Sequence, residues 1–245
     1  MPFSMRQAPL YKCALVTGGK SGLGKELSSL LEAKGIRVIA TSSSDFDLQN
    51  PDQRRALCDL ISSEKPDLIV NNAGLGFYGP ATSHPIENQR AVIEVNALAL
   101  TEITIHAAKT LKNCEMKGTI LNIGSATALV RFPTFATYAA SKRFVASISE
   151  SLDSELKSEG IRVLCALPGQ ISTDFRMRAS KGIPQKPSHL PITPEVAAKH
   201  LWKQIKKGKQ LYIFDWRTRF MIWCSSICPK SMTSRLLRSS ISNRY

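Results

Sequence analysis

Residues 13–24 read CALVTGGKSGLG, a short apolar run that passes directly into a glycine-rich turn. After the turn, Leu27, Leu30 and Leu31 recur at helical spacing, so the segment predicts a strand, a glycine turn and a helix. Glycines at such a turn let a pyrophosphate approach bare backbone at a helix N-terminus, where N–H groups and the helix dipole favour an anion. The segment therefore favours a dinucleotide-binding α/β fold, although a purely structural turn would leave the same pattern.

Apolar strands and helical segments alternate along the rest of the chain. Strands are predicted at residues 36–41, 67–74, 119–123, 161–167 and 210–214. Helices are predicted at 51–64, 86–112 and 195–207, and a further helix, which carries Tyr138, continues to about residue 159. This alternation is typical of βαβ units. We therefore expect the α/β class, with a doubly wound, Rossmann-type parallel sheet of six or seven strands and helices on both faces. A chain of 245 residues can bury one sizeable core, so residues 1–214 are expected to form one domain and 215–245 a basic amphipathic extension.

The second predicted strand ends in hydroxyl residues, Thr41 to Ser44. A carboxylate at this distance from a glycine turn would accept from a ribose 2′-hydroxyl, but no acidic residue follows the strand directly. Hydroxyls at Ser42 and Ser43, with Lys20 nearby, would instead suit a 2′-phosphate. We therefore predict NADP(H) rather than NAD(H), the alternative being that the serines simply form a turn.

Tyr138 and Lys142 stand four residues apart, so on a helix their side chains share one face. An ammonium beside a phenol favours tyrosinate and lowers the phenol pKa. Ser125 follows the strand at 119–123, where an α/β sheet exposes catalytic groups. These residues predict proton transfer to a substrate oxygen that Ser125 hydrogen-bonds. Because the chain has five tyrosines, a chance Tyr-x-x-x-Lys with a solvated lysine is the alternative.

Asn96 is a polar residue within the apolar-periodic stretch at 86–112. A buried asparagine in a helix is costly unless its amide is hydrogen-bonded. From the residues alone, a partner in the local backbone and a functional role remain equally open.

Six motifs in register resemble the classical short-chain dehydrogenase/reductase family. They are Thr17-Gly18-x-x-x-Gly22-x-Gly24, Asn71-Asn72-Ala73-Gly74, Asn96, Ser125, Tyr138-x-x-x-Lys142 and Pro168-Gly169-x-Ile171-x-Thr173. The resemblance runs from about Tyr11 to Phe214 and implies NAD(P)(H)-dependent interconversion of a carbonyl and a secondary alcohol. The rival from another class is a catalytically idle protein that senses a dinucleotide or serves as a scaffold.

The resemblance implies a role for each motif residue. Tyr138 is the general acid/base, Lys142 lowers its pKa and bonds the nicotinamide ribose, Ser125 orients the substrate oxygen, and Asn96 holds a water that links Lys142 to bulk solvent. The predicted cofactor contacts are Gly18, Lys20, Ser21, Gly22, Leu23, Gly24, Ser42, Ser43, Asp47, Leu48, Asn72, Ala73, Gly74, Tyr138, Lys142, Pro168, Gly169, Ile171 and Thr173. Only a few residues separate Thr41 from Asp47, where the family usually has a helix and a full strand, so we expect the third strand to be a stub.

Two segments are expected to govern the access of the substrate and the location of the protein. Residues 176–194 contain four prolines and no clear periodicity, which predicts a mobile loop that closes over the substrate. From residue 201 onward, ten basic residues face one acidic residue, so about +9 of the total charge of +14 lies there. In that part Trp216, Phe220, Trp223 and Ile227 form an apolar stripe at helical spacing. It could lie on an anionic membrane, cover the pocket or form a subunit interface, and these alternatives stay open.

The remaining features bound the partners. The six cysteines are scattered without zinc-ligand spacing, so we expect free thiols, no metal site and a reducing compartment. No run of 18 apolar residues occurs, so the expected location is cytoplasmic, with the tail suited to the inner membrane surface. The expected substrate is a small hydrophobic carbonyl or alcohol. The resemblance implies a homo-oligomer, a dimer or tetramer paired through the helices with Asn96 and Tyr138, and no motif indicates nucleic-acid binding.

Overall fold

A computed structural model describes residues 10–180 and 191–227. Its strands are β1 (Cys13–Thr17), β2 (Arg37–Ala40), β3 (Leu68–Asn71), β4 (Gly118–Ile123), β5 (Ile161–Ala166) and β6 (Leu211–Tyr212). Its helices are α1 (Gly22–Glu32), α2 (Pro51–Glu64), α3 (Ile86–Ile93), α4 (Leu100–Asn113), α5 (Ala136–Leu156), α6 (Phe175–Ala179), α7 (Pro194–Lys207) and α8 (Trp216–Ile227). The predicted strands are confirmed, with boundaries that differ by at most three residues.

The strands form one parallel sheet in the order β2-β1-β3-β4-β5-β6. The chain leaves β1 for β2 on one side and then crosses back to pair β3 with the other side of β1. The carboxyl ends of the strands open a crevice at this reversal, where ligands bind in open α/β sheets. This order confirms the predicted doubly wound, Rossmann-type fold with six strands.

Helices cover both faces of the sheet because successive strand residues point to opposite sides. In β1, Ala14 and Val16 pack against the buried faces of α1 and α7. Leu15, between them, packs on the opposite face with residues of α2 and α4. The predicted helices on both faces are thus confirmed, and the glycine turn is held between β1 and α1 at the edge of the crevice.

The sheet lacks the expected stub of a third strand. Residues 41–50, all of which the structure describes, form turns and bends between β2 and α2. Asn50 caps α2 by accepting hydrogen bonds from the amides of Asp52 and Gln53. So few residues separate β2 from this cap that no crossover helix and strand can fit between them. β2 is therefore the edge strand, and the connection after it lies against the glycine turn.

Among the residues that the structure describes, one helical stretch, Ile86–Asn113, is long and apolar enough to cross a membrane, but 61% of its most apolar window is buried inside the fold. It is not regular throughout, because Glu94–Ala99 forms a π-helical segment between α3 and α4. Segments of this kind are rare in proteins, and those that do occur often lie at functional sites. Asn96 lies within it.

The prediction of a loop from residue 176 is wrong at its beginning, since residues 176–179 belong to α6. The first helix breaker of this region is Gly182, so nothing in the sequence prevents a short helix before it. A backbone bridge joins Ile171 to Ile192, which brings the two ends of the segment together. Residues 181–190 of the predicted loop lie outside the described residues.

Candidate active site

The predicted catalytic side chains meet at the carboxyl end of β4. Ser125 follows this strand by two residues, and the buried ammonium of Lys142, on α5, donates to the carbonyl oxygen of Ile123 at 2.8 Å. The same ammonium lies 5.7 Å from the centroid of the Tyr138 ring. A Cβ placed on Gly74 would lie 3.3 Å from Asn96 Oδ1 and 3.5 Å from Lys142 Nζ. The amide and the ammonium therefore border one small space beside the backbone of Gly74.

Asn96 is fully buried, and its partners lie in a distant loop and on α5. Its Oδ1 accepts from the Leu75 amide at 2.8 Å, and its Nδ2 donates to the Leu75 carbonyl at 2.8 Å and to Ser141 Oγ at 3.0 Å. The side chain thus joins the π segment to the loop after β3 and to α5. Of the two alternatives left open by the sequence, a partner in the local backbone is wrong, because these partners are remote in the chain.

Ser125 Oγ has a defined hydrogen-bonding direction. It accepts from the Thr127 amide at 3.2 Å and from Thr127 Oγ1 at 2.9 Å. With its acceptor sites used, the hydroxyl proton of Ser125 is left to donate. A hydrogen bond between Ser125 and the Tyr138 phenol also acts to lower the phenol pKa.

Burial and the neighbouring Tyr78 nevertheless raise the pKa of Tyr138 above its ordinary value. Burial also lowers the pKa of Lys142 to about 8. Burial of the phenol therefore outweighs the lowering of its pKa by Ser125, and Lys142 is not among the groups that shift it. The ammonium is bonded to Ile123 rather than to the phenol, and it is itself poorly solvated.

A stack of aromatic rings surrounds the phenol, and the sequence analysis missed it. Phe135 lies between Tyr78 and Tyr138 at centroid distances of 4.0 and 4.1 Å, with interplanar angles of 15° and 18°. The Phe175 ring of α6 also lies near Tyr138, at a centroid distance of 5.6 Å and an interplanar angle of 44°. A Cβ on Gly76 would lie 2.7 Å from the Phe135 ring, so a glycine is needed there. The regular spacing of Phe132, Phe135 and Tyr138, three residues apart, was the sequence signal that could have predicted the stack.

A buried network of amides and hydroxyls ties the sheet to the helices, and it was also missed. Asn71 of β3 donates to Asn122 of β4 at 2.8 Å and to Thr104 of α4 at 3.0 Å. Asn122 in turn donates to Ser149 of α5 at 2.9 Å. These bonds fix α4 and α5 relative to the sheet. The family resemblance includes Asn71 in a motif, but it implies cofactor contacts only for the three residues that follow it.

The glycine turn has the geometry of an anion cradle. A Cβ on Gly24 would lie 2.2 Å from the Gly18 carbonyl oxygen, and Gly18 and Gly22 have φ of 62° and 49°, which glycine adopts readily. Asn72 Nδ2 donates to the carbonyls of Thr17 and Gly18, so this predicted cofactor residue braces the turn. The amides of Gly22, Leu23 and Gly24, in the first turn of α1, have no partner within the helix and point out of it. The cradle fits a pyrophosphate.

The segment after β5 closes the other side of the cradle. A Cβ on Gly22 would lie 3.3 Å from Thr173 Cγ2, so Thr173 faces the start of α1. The Pro168 carbonyl accepts from the Ala126 amide at 2.9 Å, which places Pro168 beside Ser125. Gly169 lies against the Thr218 hydroxyl of α8. Pro168 and Thr173, two of the predicted cofactor contacts, thus lie beside Ser125 and beside the start of α1, respectively.

At the opposite end, the groups predicted to hold a 2′-phosphate are engaged by Asp45. Lys20 forms an ion pair with it at 2.7 Å, while Ser42 donates to it through both its amide and its hydroxyl. Ser43 is exposed. Leu48 is buried in the core, and Asp47 accepts from the Gln49 amide. Asp45 was not predicted as a site residue, because it does not directly follow β2.

Helix α8 has one anchored face and one open face. Asp215 accepts from the hydroxyl of Thr218 at 3.0 Å, and Thr218 is buried. Trp216, Phe220 and Trp223 have 67%, 59% and 59% of their surface exposed. The predicted aromatic stripe is therefore at the surface as far as this helix is described, and the predicted basic segment after it lies outside the described residues.

Comparisons with known proteins show which family this chain resembles. The family model of the short chain dehydrogenases matches residues 41–184. The 3beta-hydroxysteroid dehydrogenase 1 of Eggerthella lenta is 30% identical over 186 residues, covering 66% of this chain and 71% of the relative.

Two solved structures have the same fold. A short chain dehydrogenase from Burkholderia cenocepacia J2315 in complex with NADP superimposes with a TM-score of 0.78 and 25% identity, covering 92% of this chain and 97% of the other. A 4-hydroxyisoleucine dehydrogenase complexed with NADH gives a TM-score of 0.72 at 23% identity, covering 83% and 97%.

Proposed function

Because the chain belongs to the short-chain dehydrogenase/reductase family, we propose that it interconverts a carbonyl and a secondary alcohol on a hydrophobic substrate, with Tyr138 as general acid/base. Its family makes it an oxidoreductase acting on CH–OH or C=O groups with a nicotinamide dinucleotide cofactor. One observation carries the proposal, namely that Ser125, Tyr138 and Lys142 meet beside the anion cradle of the glycine turn.

The bound nicotinamide supplies or accepts the hydride. Tyr138 donates its phenolic proton to the substrate oxygen as the carbonyl becomes an alcohol, and accepts it in the reverse direction. Ser125 donates a hydrogen bond to the same oxygen, because its acceptor sites are taken by Thr127. The negative charge that develops on the substrate oxygen is thus met by two donors.

Lys142 and Asn96 support this proton transfer. The Ile123 carbonyl fixes the Lys142 ammonium, whose positive charge favours the ionised phenol once a substrate oxygen has taken the proton. Asn96, held by Leu75, borders the same space next to Gly74. We infer that a water in this space accepts from Lys142 and links it to solvent, so Asn96 acts as a positioning residue for the relay.

The aromatic surroundings of Tyr138 support a hydrophobic substrate. Phe175 and Tyr78, which are both partly exposed, present carbon surface near the phenol, and burial of apolar substrate surface there would contribute to binding. The relative from Eggerthella lenta acts, by its name, on a hydroxysteroid, which is a substrate of this general character.

NADP(H) is the proposed preferred nucleotide. Lys20 and Ser42 lie together at the end of β2, and a phosphate accepts from donors of these types. One solved relative is bound to NADP, while another is bound to NADH, so the preference has to be measured.

The test is a fluorescence titration of the purified protein with NADPH and NADH, followed by a panel of hydrophobic ketones. We expect tighter binding of NADPH and its oxidation by at least one ketone. Nucleotide binding without oxidation across the panel would favour the alternative, a dinucleotide-sensing or scaffold protein. The catalytic set described above argues for the enzyme, because a sensor needs the glycine turn but not a proton donor.

We also propose that α8 brings the protein to an anionic membrane surface from the cytoplasmic side. Trp216 and Phe220 are exposed on it, Arg217 and Arg219 flank them, and the chain from residue 201 has a net charge of about +9. Aromatic side chains with adjacent basic residues are typical of segments that lie in the lipid interface. Co-sedimentation with phosphatidylserine vesicles should be lost in a Trp216→Ala, Phe220→Ala double variant, and equal binding would contradict the proposal.

A homo-oligomer, a dimer or tetramer, is the proposed assembly. Leu98 and Ile105 are 44% and 37% exposed along the helical stretch with Asn96, and Phe144 is 44% exposed on α5. Pairing of these helices between two copies would bury this apolar surface. Light scattering of the eluted protein should give a mass of two or four chains, whereas the mass of one chain would contradict pairing.

A further inference from the structure

The carboxylate of Asp45 has three donors around it. Lys20 Nζ lies 2.7 Å from Oδ1, and Ser42 donates to Oδ2 from its amide at 2.8 Å and from its hydroxyl at 2.6 Å. An ammonium, a hydroxyl and a backbone amide thus converge on one anion at the end of β2. This set of donors is suited to a phosphate as well as to a carboxylate.

The local backbone holds Asp45 in this position. The Asp45 and Phe46 amides both donate to the Ser42 carbonyl, at 3.1 and 3.0 Å, and the Gly19 amide donates to the Thr41 carbonyl at 2.8 Å. The turn with Asp45 is therefore fastened to the glycine turn from which Lys20 projects. The hydrogen bonds that Asp45 accepts from Lys20 and then from Ser42 lower its pKa to about 2, so the carboxylate is charged at neutral pH.

The ion pair is accessible to an incoming ligand. The side chains of Lys20 and Asp45 are 52% and 34% exposed. A phosphate could therefore reach the ammonium from solvent, and the displaced carboxylate could rotate into water. Lys142, by contrast, is buried and bonded to the backbone.

We propose that Asp45 is an internal counter-anion that occupies the place of a 2′-phosphate and so limits the preference for NADP(H) over NAD(H). The inference rests on the proposed function, because it concerns the same cofactor site. A nucleotide with a 2′-phosphate has to take Lys20 and Ser42 from Asp45 and then lies beside a like charge. A nucleotide with a 2′-hydroxyl leaves the ion pair intact. Asp45 therefore weakens binding of the phosphorylated nucleotide alone.

The test compares the full chain with its Asp45→Asn variant. Asparagine keeps an oxygen that can accept from Ser42 and removes only the negative charge. Calorimetry with 2′,5′-ADP and 5′-AMP measures the adenosine end without any catalytic step. We expect the variant to bind 2′,5′-ADP about tenfold more tightly and 5′-AMP within about twofold of the original protein. Fluorescence titration should show the same change for NADPH relative to NADH.

Asp59→Asn is the matched control, because it removes the same charge from an exposed position on α2. It should leave the ratio of the two affinities unchanged. An unchanged ratio in Asp45→Asn would overturn the inference. So would weaker binding of 5′-AMP and NADH in that variant, which would mean that Asp45 accepts from the ribose hydroxyl or only shapes the turn. Binding of neither NADPH nor NADH to any of the three proteins would contradict the proposed function as well.

Discussion

The catalytic end and the adenosine end of the proposed cofactor site are built in different ways. At the catalytic end, Lys142 and Asn96 are 3% and 0% exposed and are bonded to the backbone of remote segments. At the adenosine end, Lys20 and Asp45 form a partly exposed ion pair within one pair of adjacent turns. Buried bonds between remote elements fix a geometry, whereas exposed pairs stabilise little and rearrange easily. Changes at the first end should therefore alter the rate, and changes at the second should alter nucleotide affinity.

The largest effect is expected from Lys142→Met. Loss of the ammonium next to Tyr138 should lower kcat for ketone reduction at least about 100-fold. Burial lowers the pKa of Lys142 to about 8, so the charged side chain destabilises the folded protein at neutral pH. The variant should therefore unfold at the same or a higher temperature, as measured by calorimetry. A loss of rate accompanied by a large drop in unfolding temperature would indicate a structural role instead, and Lys109→Met, an exposed lysine of α4, is the control.

Asn96→Ala should have the next largest effect on rate. Removal of the side chain leaves the Leu75 amide and carbonyl without their partner and frees the π segment. We expect kcat to fall about tenfold through the lost positioning, with nucleotide affinity nearly unchanged. Steady-state kinetics measure kcat and the KM for the nucleotide in this variant, with Asn113→Ala as the control. A rise in KM for the nucleotide with constant kcat would contradict the assignment.

The pH dependence should distinguish the two directions of the reaction. Reduction requires a protonated Tyr138, whose pKa is raised by burial, and a charged Lys142, whose pKa is about 8. Both forms are present below that value, so the reduction rate should be constant from about pH 6 to nearly pH 8 and fall above it. Alcohol oxidation requires the ionised phenol and should rise with pH. A reduction rate that already falls near pH 6 would point to another proton donor.

The smallest effect is expected at the adenosine end. Lys20→Met should weaken NADPH binding about fivefold and NADH binding much less, with kcat unchanged at saturation. Lys25→Met, an exposed lysine on α1, removes the same charge and serves as control. A fall of kcat in Lys20→Met would mean that the two ends are coupled. It would contradict the assignment of rate to the catalytic end and of nucleotide affinity to the adenosine end.

The sequence predicts the catalytic end well because its signals are local. A strand followed by Ser125 and a helix with Tyr138 and Lys142 are visible in single segments, and parallel strands bring their carboxyl ends to one edge. The buried position of Asn96 was also predictable from its apolar neighbours. Its partner Leu75 was not, because nothing in residues 86–112 specifies which loop approaches the π segment.

The adenosine end could not be derived in the same way. Whether Asp45 folds back on Lys20 depends on the turn that replaces the expected third strand, and that turn is fixed by backbone bonds to Ser42 rather than by a residue pattern. The stack of Phe135 between two tyrosines similarly depends on the loop with Gly76, which is remote in the chain. In both cases the contact joins segments whose relative position only the folded chain defines.

The most direct test of the account compares ketone reduction by Tyr138→Phe with that by Tyr212→Phe at saturating NADPH. Phenylalanine keeps the ring that stacks on Phe135 and removes only the proton donor, whereas Tyr212 lies on β6, outside the candidate site. The account predicts that Tyr138→Phe binds NADPH as the original protein does but loses at least about 100-fold in turnover, while Tyr212→Phe stays active. Equal turnover by the two variants would contradict the assignment of Tyr138 as the general acid.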